Sequence, residues 1–241
     1  MSGHLLDADK RYVATLELGA RTATADCEGP VVETRAVPAL TPEAVREVLA
    51  TFLGEQSQVP PMHSALKRDG RPLYELARAG IEVERAPRTV RILSLELLTQ
   101  EPTRLVFDVR CSKGTYVRTL GEDVAAALGT VGHLSELRRL DVGGVFTGMP
   151  VHRLDALAAL DGDLPALDAL LLPPDRALVD RPAVVLDAVS TVRFTHGQTV
   201  AAATAAGSVR VYGPGEVFLG IGEGTIEGTS VAPVRLLSTE T

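Results

Sequence analysis

The segment CSKGTYVRTLGEDV, residues 111–124, contains an arginine at the point where a helix is expected to begin. A strand-like run ends at Cys111, a Lys-Gly turn follows, and apolar residues then recur at helical spacing. Arg118 falls in the first turn of this helix, where a cation opposes the helix macrodipole by about 0.5 kcal/mol. Arg118 therefore predicts an acidic partner, either a buried carboxylate or a phosphate, unless its side chain extends into water.

Two tyrosines lie beside basic residues in a chain that has four tyrosines and no tryptophan. Tyr12 begins a predicted strand directly after Lys10 and Arg11, and Tyr116 comes two residues before Arg118. Aromatic rings next to basic side chains suit stacking on nucleobases. Packing in the core or at its rim is the alternative for each ring.

Charge is distributed unevenly along the chain. The 241 residues contain 24 basic and 31 acidic side chains, and the net charge of −7 argues against a nucleic-acid partner. The segment from His63 to Arg91, however, has seven basic and four acidic residues. A phosphate backbone contacts a local patch of charge, and the net charge of the whole chain matters less. This segment could therefore bind phosphates. A solvated, arginine-rich surface helix is the alternative.

Several common functional motifs are absent from the sequence. The three glycines Gly220, Gly222 and Gly224 lie between two predicted strands with no helix after them, which excludes a dinucleotide-binding loop. The five histidines and two cysteines match no metal-ligand spacing, so we expect no metal and no cofactor. No apolar run approaches the roughly 20 residues of a membrane span, and residues 1–10 lack the apolar core of a signal peptide. We therefore expect a cytoplasmic protein.

The hydrophobic patterns predict both helices and strands. Alternation predicts strands, and apolar residues at helical spacing with capping residues predict helices. Thr41 and Pro42 mark the start of one helix. The expected strands are 10–19, 90–98 and 104–111, and the expected helices are 42–54, 72–79 and 115–128, with one or two short helices within 154–174. After Pro182 the helical pattern disappears, and short β-like runs alternate with glycine turns.

These elements predict an α+β fold. We expect a mixed sheet flanked by helices in residues 1–174, followed by a small, mostly β module in residues 182–241. Two prolines and an Asp69-Gly70 turn set apart residues 60–91, here called the basic insert.

Four blocks occur in this order along the chain, namely LLDADKRYVATLELGARTATADCEG, VPPMHSALKRDGRPLYELARAG, CSKGTYVRTLGEDVAAALG and HLSELRRLDVG. Together they closely resemble the TruB family of tRNA pseudouridine synthases in its bacterial form. The segment LLLPPDRAL is similar to the element that precedes the family's C-terminal module. The resemblance runs from Leu5 to about Leu237.

The resemblance implies a pseudouridine-synthase-like sheet, a C-terminal PUA-like RNA-binding module, and an isomerase that needs no metal or cofactor. Its substrate would be uridine 55 in the T-arm stem-loop of tRNA, and we expect a monomer. Family members flip this base out of the loop. An aspartate then acts as the nucleophile, the glycosidic bond breaks, and the base is reattached through carbon.

The resemblance also implies roles for individual residues. Tyr12 would stack on the flipped base, and Arg118 would pair with the catalytic aspartate. Tyr116 and Leu137 would line the uridine pocket. Three residues of the basic insert would bind RNA, namely Lys67, Arg68 and Arg71.

The family's catalytic aspartate lies in a GHxGxLDP block that follows a KPxGxTS block, and this sequence contains neither. Three acids near Tyr12, namely Asp7, Asp9 and Asp26, occupy positions that differ from that of the family's nucleophile. We therefore expect a chain that lacks the N-terminal catalytic segment and is inactive as it stands. We also expect Arg118 to lack a carboxylate partner and the sheet to have an uncovered edge.

Three functions are compatible with these patterns. The first is an RNA-modifying enzyme by lineage. The second is a catalytically inactive tRNA-binding or RNA-remodelling protein. The third is a metabolic α+β enzyme unrelated to RNA, which would show no salt-dependent binding to a T-arm hairpin.

Overall fold

The computed structural model describes residues 5–237 and divides the chain into two compact units. The first unit ends at Thr147 and the second begins at Gly148. This division comes before the boundary at 174–182 that the sequence predicts. The assignment of 1–174 to catalysis and 182–241 to RNA binding stays a prediction.

The first unit is built on one antiparallel sheet of five strands. Its spatial order is β4-β7-β8-β1-β9, and two short ribbons, β2-β3 and β5-β6, lie outside it. The strands are β1 (Lys10–Leu18), β2 (Ala20–Thr22), β3 (Val31–Thr34), β4 (Gly54–Gln58), β5 (Lys67–Arg68), β6 (Arg71–Pro72), β7 (Arg88–Glu101), β8 (Arg104–Cys111) and β9 (Gly132–Val142). The helices are α1 (Pro42–Thr51), α2 (Leu73–Arg78) and α3 (Val117–Ala127).

Strand β1 confirms the alternation seen in the sequence. Ala14 and Leu16 are fully buried against α1 and α3, and Leu18 is 6% exposed. The opposite face is polar, and there Arg11 forms an ion pair with Asp108 at 2.9 Å. One face of the sheet therefore packs against the hydrophobic core, and the other carries charged side chains that form ion pairs.

Helices α1 and α3 cover the apolar face. Thr41 caps α1, because its hydroxyl accepts a hydrogen bond from the Ala44 amide at 3.2 Å. In α3 the four residues of the predicted apolar side are all buried, namely Val117, Leu120, Val124 and Leu128. A Cβ on Gly121 would lie 2.9 Å from Leu134 Cδ2, so α3 passes close over β9. This close packing fixes the start of α3 relative to the sheet.

Strand β9 lies at one edge of the sheet. Within residues 5–237, β1 is its only strand partner, and an isolated parallel bridge joins Leu134 to Asp26. Every open sheet has two edges, so this observation leaves the prediction of missing strands untested.

The second unit contains a five-stranded sheet with the order β10-β12-β13-β14-β11. Its strands are β10 (Ala183–Val185), β11 (Val200–Ala201), β12 (Gly207–Tyr212), β13 (Phe218–Gly224) and β14 (Ser230–Leu236). Its helices are α4 (Leu154–Ala158), α5 (Leu164–Asp168) and α6 (Ala188–Thr195), with 3-10 turns at Pro174–Leu178 and Pro214–Glu216. The α+β class and the C-terminal β module are therefore confirmed.

The prediction that helical structure ends at Pro182 was wrong. Helix α6 is capped by Asp187, whose carboxylate accepts a hydrogen bond from the Ser190 amide at 2.7 Å. Phe194 is its only buried residue, so the apolar stripe that predicts a helix is almost absent. None of the helices described between residues 5 and 237 is long and apolar enough to cross a membrane.

The three glycines of the GxGxG motif serve close packing within the second unit. Gly220 has φ of +144°, and a Cβ there would overlap the carbonyl oxygen of Arg235. A Cβ on Gly224 would overlap the carbonyl oxygen of Ala205. Both obstacles are backbone atoms, one in β14 and one in the segment before β12, so neither can move aside without a shift of the main chain.

We expect Gly224→Ala to lower the free energy of unfolding by about 1–3 kcal/mol, the usual cost of forcing extra volume into a packed interior. The matched control is Glu223→Ala, one residue earlier on the exposed side of β13. Urea unfolding followed by far-ultraviolet circular dichroism measures both variants. Equal stability of the two would contradict the close-packing role of Gly224.

Candidate functional site

Arg118 lies in the first turn of α3, and its guanidinium joins three parts of the chain. Nη1 donates to the Thr24 carbonyl and to Asp26 Oδ2, both at 2.9 Å. Nη2 donates to the His63 carbonyl at 2.7 Å. The side chains of Arg118 and Asp26 are 22% and 26% exposed, so the ion pair is partly shielded from water.

The prediction that Arg118 would lack a carboxylate partner was wrong, because Asp26 occupies that place. The loop from Thr22 to Glu28 folds back onto β9, where the Leu134 amide donates to the Ala25 carbonyl at 3.0 Å. Ala25 takes a positive φ of 60°, which turns the chain towards α3. Pairing between residues 92 positions apart in sequence depends on this tertiary contact. The arginine at the start of the helix predicted an acidic partner, and the fold determines that this partner is Asp26.

The Asp26 carboxylate is held by several donors. Oδ1 accepts from the Thr24 hydroxyl at 2.5 Å and from the Glu28 amide at 3.2 Å, and Oδ2 accepts from Arg118. Thr22 donates its hydroxyl to the Asp26 carbonyl at 2.6 Å. These hydrogen bonds fix the orientation of the carboxylate. The geometry therefore suits Asp26 for positioning Arg118.

A buried glutamine clamps the residue that precedes α3. Gln58, which is 5% exposed, donates from Nε2 to the Tyr116 carbonyl at 3.1 Å. Its Oε1 accepts the Tyr116 amide at 2.8 Å. The Gln58 side chain thus makes, with the N–H and C=O of Tyr116, the hydrogen bonds that a neighbouring strand would otherwise make. Sequence analysis missed Gln58, whose segment GEQSQ has no apolar alternation.

Two depressions share the Arg118–Asp26 pair. The Leu137 depression has a volume of about 190 Å³ and is lined by Asp26, Cys27, Glu28, Arg118, Leu134, Ser135, Glu136 and Leu137. The Tyr116 depression has a volume of about 420 Å³ and is lined by Thr24, Asp26, Glu28, His63, Ser64, Ala65, Tyr74, Arg78, Tyr116 and Arg118. Tyr116 and Leu137, expected in one pocket, thus line two neighbouring depressions. Cys27 is a further lining residue that sequence analysis did not select.

Tyr12 lines neither depression. Its ring packs partly against the core, and the guanidinium carbon of Arg139 lies 5.6 Å from the ring centroid. Burial raises the pKa of the Tyr12 phenol, and the nearby Arg139 opposes this rise. The phenol therefore stays protonated at neutral pH, and both base stacking and core packing remain compatible with its position.

A third depression of about 320 Å³ includes Arg21 and Glu122. Burial raises the pKa of the Glu122 carboxyl, and the nearby Arg21 guanidinium partly offsets this effect. Among the residues that the structure describes, no group of three or more His, Cys, Asp or Glu side chains could hold a metal ion.

The basic insert carries its three predicted RNA-binding residues on an exposed hairpin. Lys67 and Arg68 form β5 and Arg71 begins β6. Asp69 and Gly70 turn the chain with φ of 50° and 80°, so the turn expected from the sequence is confirmed. Arg68 donates to the Glu84 carbonyl at 2.7 Å. Side chains on such a hairpin can reach a phosphate backbone.

Comparison with known proteins identifies the lineage. Residues 1–117 match a family model described as "TruB family pseudouridylate synthase (N terminal domain)". Residues 118–179 match "tRNA pseudouridylate synthase B C-terminal domain", and residues 182–237 match "Pseudouridine synthase II TruB, C-terminal". Proteins named tRNA pseudouridine synthase B from Hydrogenovibrio crunogenus and Thiobacillus denitrificans are 46% and 48% identical over 239 residues. The chain belongs to the TruB family.

These matches cover 99% of this chain and 77–78% of the two relatives. A third relative of the same name, from Aromatoleum aromaticum, is 50% identical over 236 residues. By family, this TruB chain is a pseudouridine synthase, which is an isomerase. The alternative of a metabolic enzyme from an unrelated family was therefore wrong.

Solved structures share the fold of this TruB protein. A Cbf5–Nop10–Gar1 complex matches with a TM-score of 0.65 and 24% identity, covering 98% of this chain and 68% of that one. An H/ACA RNP bound to a substrate RNA containing 2′-deoxyuridine matches with a TM-score of 0.67 and 20% identity, with the same coverage. At this level of identity the likeness concerns the fold alone.

We expect Gln58→Glu to lower the free energy of unfolding by about 1–3 kcal/mol at neutral pH, because the carboxylate keeps the acceptor but leaves the Tyr116 carbonyl without its donor. Below the pKa of the new carboxyl, protonation restores a donor, so the loss should shrink as the pH falls. Urea unfolding at about pH 4 and pH 7 measures this difference.

The matched control is Gln56→Glu, the same change on the same strand at a position that makes no such clamp. If both variants lose equal stability with equal pH dependence, the clamp has no special energetic role.

Proposed function

We propose that this TruB chain recognises the T-arm of tRNA and that its target is uridine 55. The observation that carries the proposal is the Arg118–Asp26 pair, which forms a common wall of two depressions. A base flipped out of an RNA loop needs such a partly shielded recess with fixed polar groups. The names of the relatives, tRNA pseudouridine synthase B, support tRNA as the substrate class.

The individual roles follow the family pattern. Arg118 would pair with the family's catalytic aspartate, Tyr12 stacks on the flipped uridine, and Tyr116 and Leu137 line its pocket. The exposed cations of the basic insert bind phosphates of the T-arm. We propose that the protein acts as a monomer in the cytoplasm without metal or cofactor.

The reaction in this family needs an aspartate nucleophile. Its carboxylate attacks C1′ as the bond from C1′ to N1 breaks. C1′ then joins C5 as its bond to the aspartate breaks, the C5 proton is lost, and N1 gains a proton. The 241 residues contain no GHxGxLDP block. Asp26 pairs with Arg118, as the family's nucleophile would, but it lies in a loop at a position that differs from that of the family's nucleophile, so it is a poor substitute. We therefore propose that this chain, as it stands, binds the RNA without converting it.

A catalytically inactive tRNA-binding or RNA-remodelling protein is the alternative function. The absence of a GHxGxLDP block from the 241 residues favours this alternative. The nucleotide sequence immediately 5′ of the Met1 codon distinguishes the two. An in-frame GHxGxLDP block there supports the enzyme, and its absence supports the RNA-binding protein.

We expect the double variant Lys67→Ala/Arg71→Ala to bind a T-arm hairpin more weakly than the unaltered chain. Each lost phosphate contact should reduce the slope of log affinity against log salt by about one. Fluorescence anisotropy over a range of salt concentrations measures both quantities.

The control is Arg35→Ala/Arg46→Ala, which removes the same number of positive charges. These two guanidinium groups already pair with Glu33 and Glu43. An unchanged affinity and salt slope in the Lys67/Arg71 variant would remove the hairpin from the RNA interface.

We expect no pseudouridine after incubation of the chain with a T-arm stem-loop, because the sequence contains no GHxGxLDP block to supply the family's aspartate nucleophile. Mass spectrometry of the RNA after chemical labelling of pseudouridine measures conversion. Detection of product would contradict the proposal.

A further inference from the structure

Tyr12 and Arg139 form a pair of side chains on the two strands that run beside the Leu137 depression. They stand directly opposite each other in the register of β1 and β9, in which Leu137 pairs with Ala14. Residues two apart on a strand point to the same face of a sheet, so Arg139 and Leu137 share one face of β9. The Tyr12–Arg139 pair therefore lies one step along the strands from the depression.

We propose that Arg139 is a positioning residue for the target uridine. Its guanidinium holds the Tyr12 ring in the orientation in which the ring stacks on the flipped base. This inference rests on the proposed function, in which Tyr12 supplies that stacking surface. It gives β9 a part in base recognition beyond the lining residue Leu137.

The first observation is the position of the guanidinium over the Tyr12 ring. Its central carbon lies 5.6 Å from the ring centroid, within the distance at which an aromatic ring attracts a cation. The two residues are paired across neighbouring antiparallel strands, where the Cβ atoms of opposite residues are about 5 Å apart. The contact is therefore built into the register of the sheet.

The second observation is that Arg139 has no acidic partner. Among the residues that the structure describes, its guanidinium lies within ion-pair distance of no carboxylate, whereas Arg118 pairs with Asp26. The charge of Arg139 also lowers the pKa of the Tyr12 phenol, against the larger effect of burial. Tyr12 is therefore the partner that the fold gives to this cation.

The third observation is that the Tyr12 ring is anchored at the edge of the core. Ala14 and Leu16, the next residues of β1 on the same face, are fully buried, and the half-buried ring packs against the core to which they belong. Core packing and the guanidinium together leave the ring few orientations. A ring fixed in advance loses little freedom when a base stacks on it, which favours binding.

Direct binding of a phosphate by Arg139 is the competing role. A guanidinium that only neutralises a phosphate contributes to the same extent whether or not the aromatic ring is present. A positioning guanidinium contributes only through the ring. The two roles therefore differ in whether the effect of Arg139 depends on Tyr12, and a double-mutant cycle measures this dependence.

The test is a cycle of binding measurements with the full chain and a T-arm hairpin, made by fluorescence anisotropy. Arg139→Ala should weaken binding about threefold, which corresponds to an exposed cation–π contact. Tyr12→Leu should weaken binding about tenfold, and the double variant should bind as weakly as Tyr12→Leu alone. With a hairpin that is abasic at the target position, Arg139→Ala should cause no further loss.

The matched control is Arg138→Ala. Arg138 lies opposite Val13 on the other face of β9, so this variant removes the same charge from the neighbouring position. Any loss of affinity that it causes should be the same with and without Tyr12→Leu. Thermal melts show whether each variant is folded.

The pKa of the Tyr12 phenol gives an independent measurement on the protein without RNA. Arg139 favours the phenolate, so Arg139→Ala should raise this pKa. The ultraviolet absorbance of tyrosinate reports it after subtraction of the titration of Tyr12→Phe, which keeps the other three tyrosines. An unchanged pKa would mean that the guanidinium does not act on the ring in solution, and it would overturn the proposal.

An equal loss from Arg139→Ala with and without Tyr12→Leu, together with a salt slope reduced by about one, would assign Arg139 to phosphate binding and overturn the positioning role. Unchanged affinity of Arg139→Ala would also overturn it. If the unaltered chain shows no salt-dependent binding to the hairpin, the proposed function fails, and the role of Arg139 fails with it. If binding depends on Lys67 and Arg71 but not on Arg139, only the role of Arg139 fails.

Discussion

The position of one guanidinium determines the arrangement of the candidate site. Arg118 places a positive charge in the first turn of α3, where the macrodipole disfavours it, and Asp26 supplies the compensating charge at 2.9 Å. The carbonyls of Thr24 and His63 accept the remaining bonds described for this side chain. Loss of this group would leave the partly shielded Asp26 carboxylate without its ion-pair partner and remove the hydrogen bonds that join α3 to the carbonyls of Thr24 and His63.

The rest of the first unit supports that arrangement. Close packing at Gly121 brings α3 against β9, and the Gln58 side chain holds Tyr116 at the start of the helix. The 22–28 loop is tied to β9 through Ala25 and Leu134. The site therefore combines a rigid sheet and helix with an exposed insert, a division that suits recognition of an RNA loop against a fixed wall.

The sequence was sufficient where local patterns are strong. Alternation predicted β1 and β8, capping by Thr41 and Pro42 predicted α1, and the spacing from Val117 to Leu128 predicted α3. It failed at α6, whose eight residues bury only Phe194, and at β4, whose polar sequence has no alternation. The glycines of GxGxG lie in a strand, and their packing against the backbone required the three-dimensional structure.

Family membership, the α+β class and the need for an acidic partner near Arg118 follow from the sequence alone, because motifs, periodicity and the helix dipole act over a few neighbouring residues. The identity of that partner was decided by tertiary structure. Asp26 meets Arg118 only because a loop with a positive φ at Ala25 docks on β9, a contact between distant residues that no local pattern encodes. For the same reason, the placement of Tyr116 and Leu137 in two neighbouring depressions was decided by how α3, β9 and the basic insert pack together.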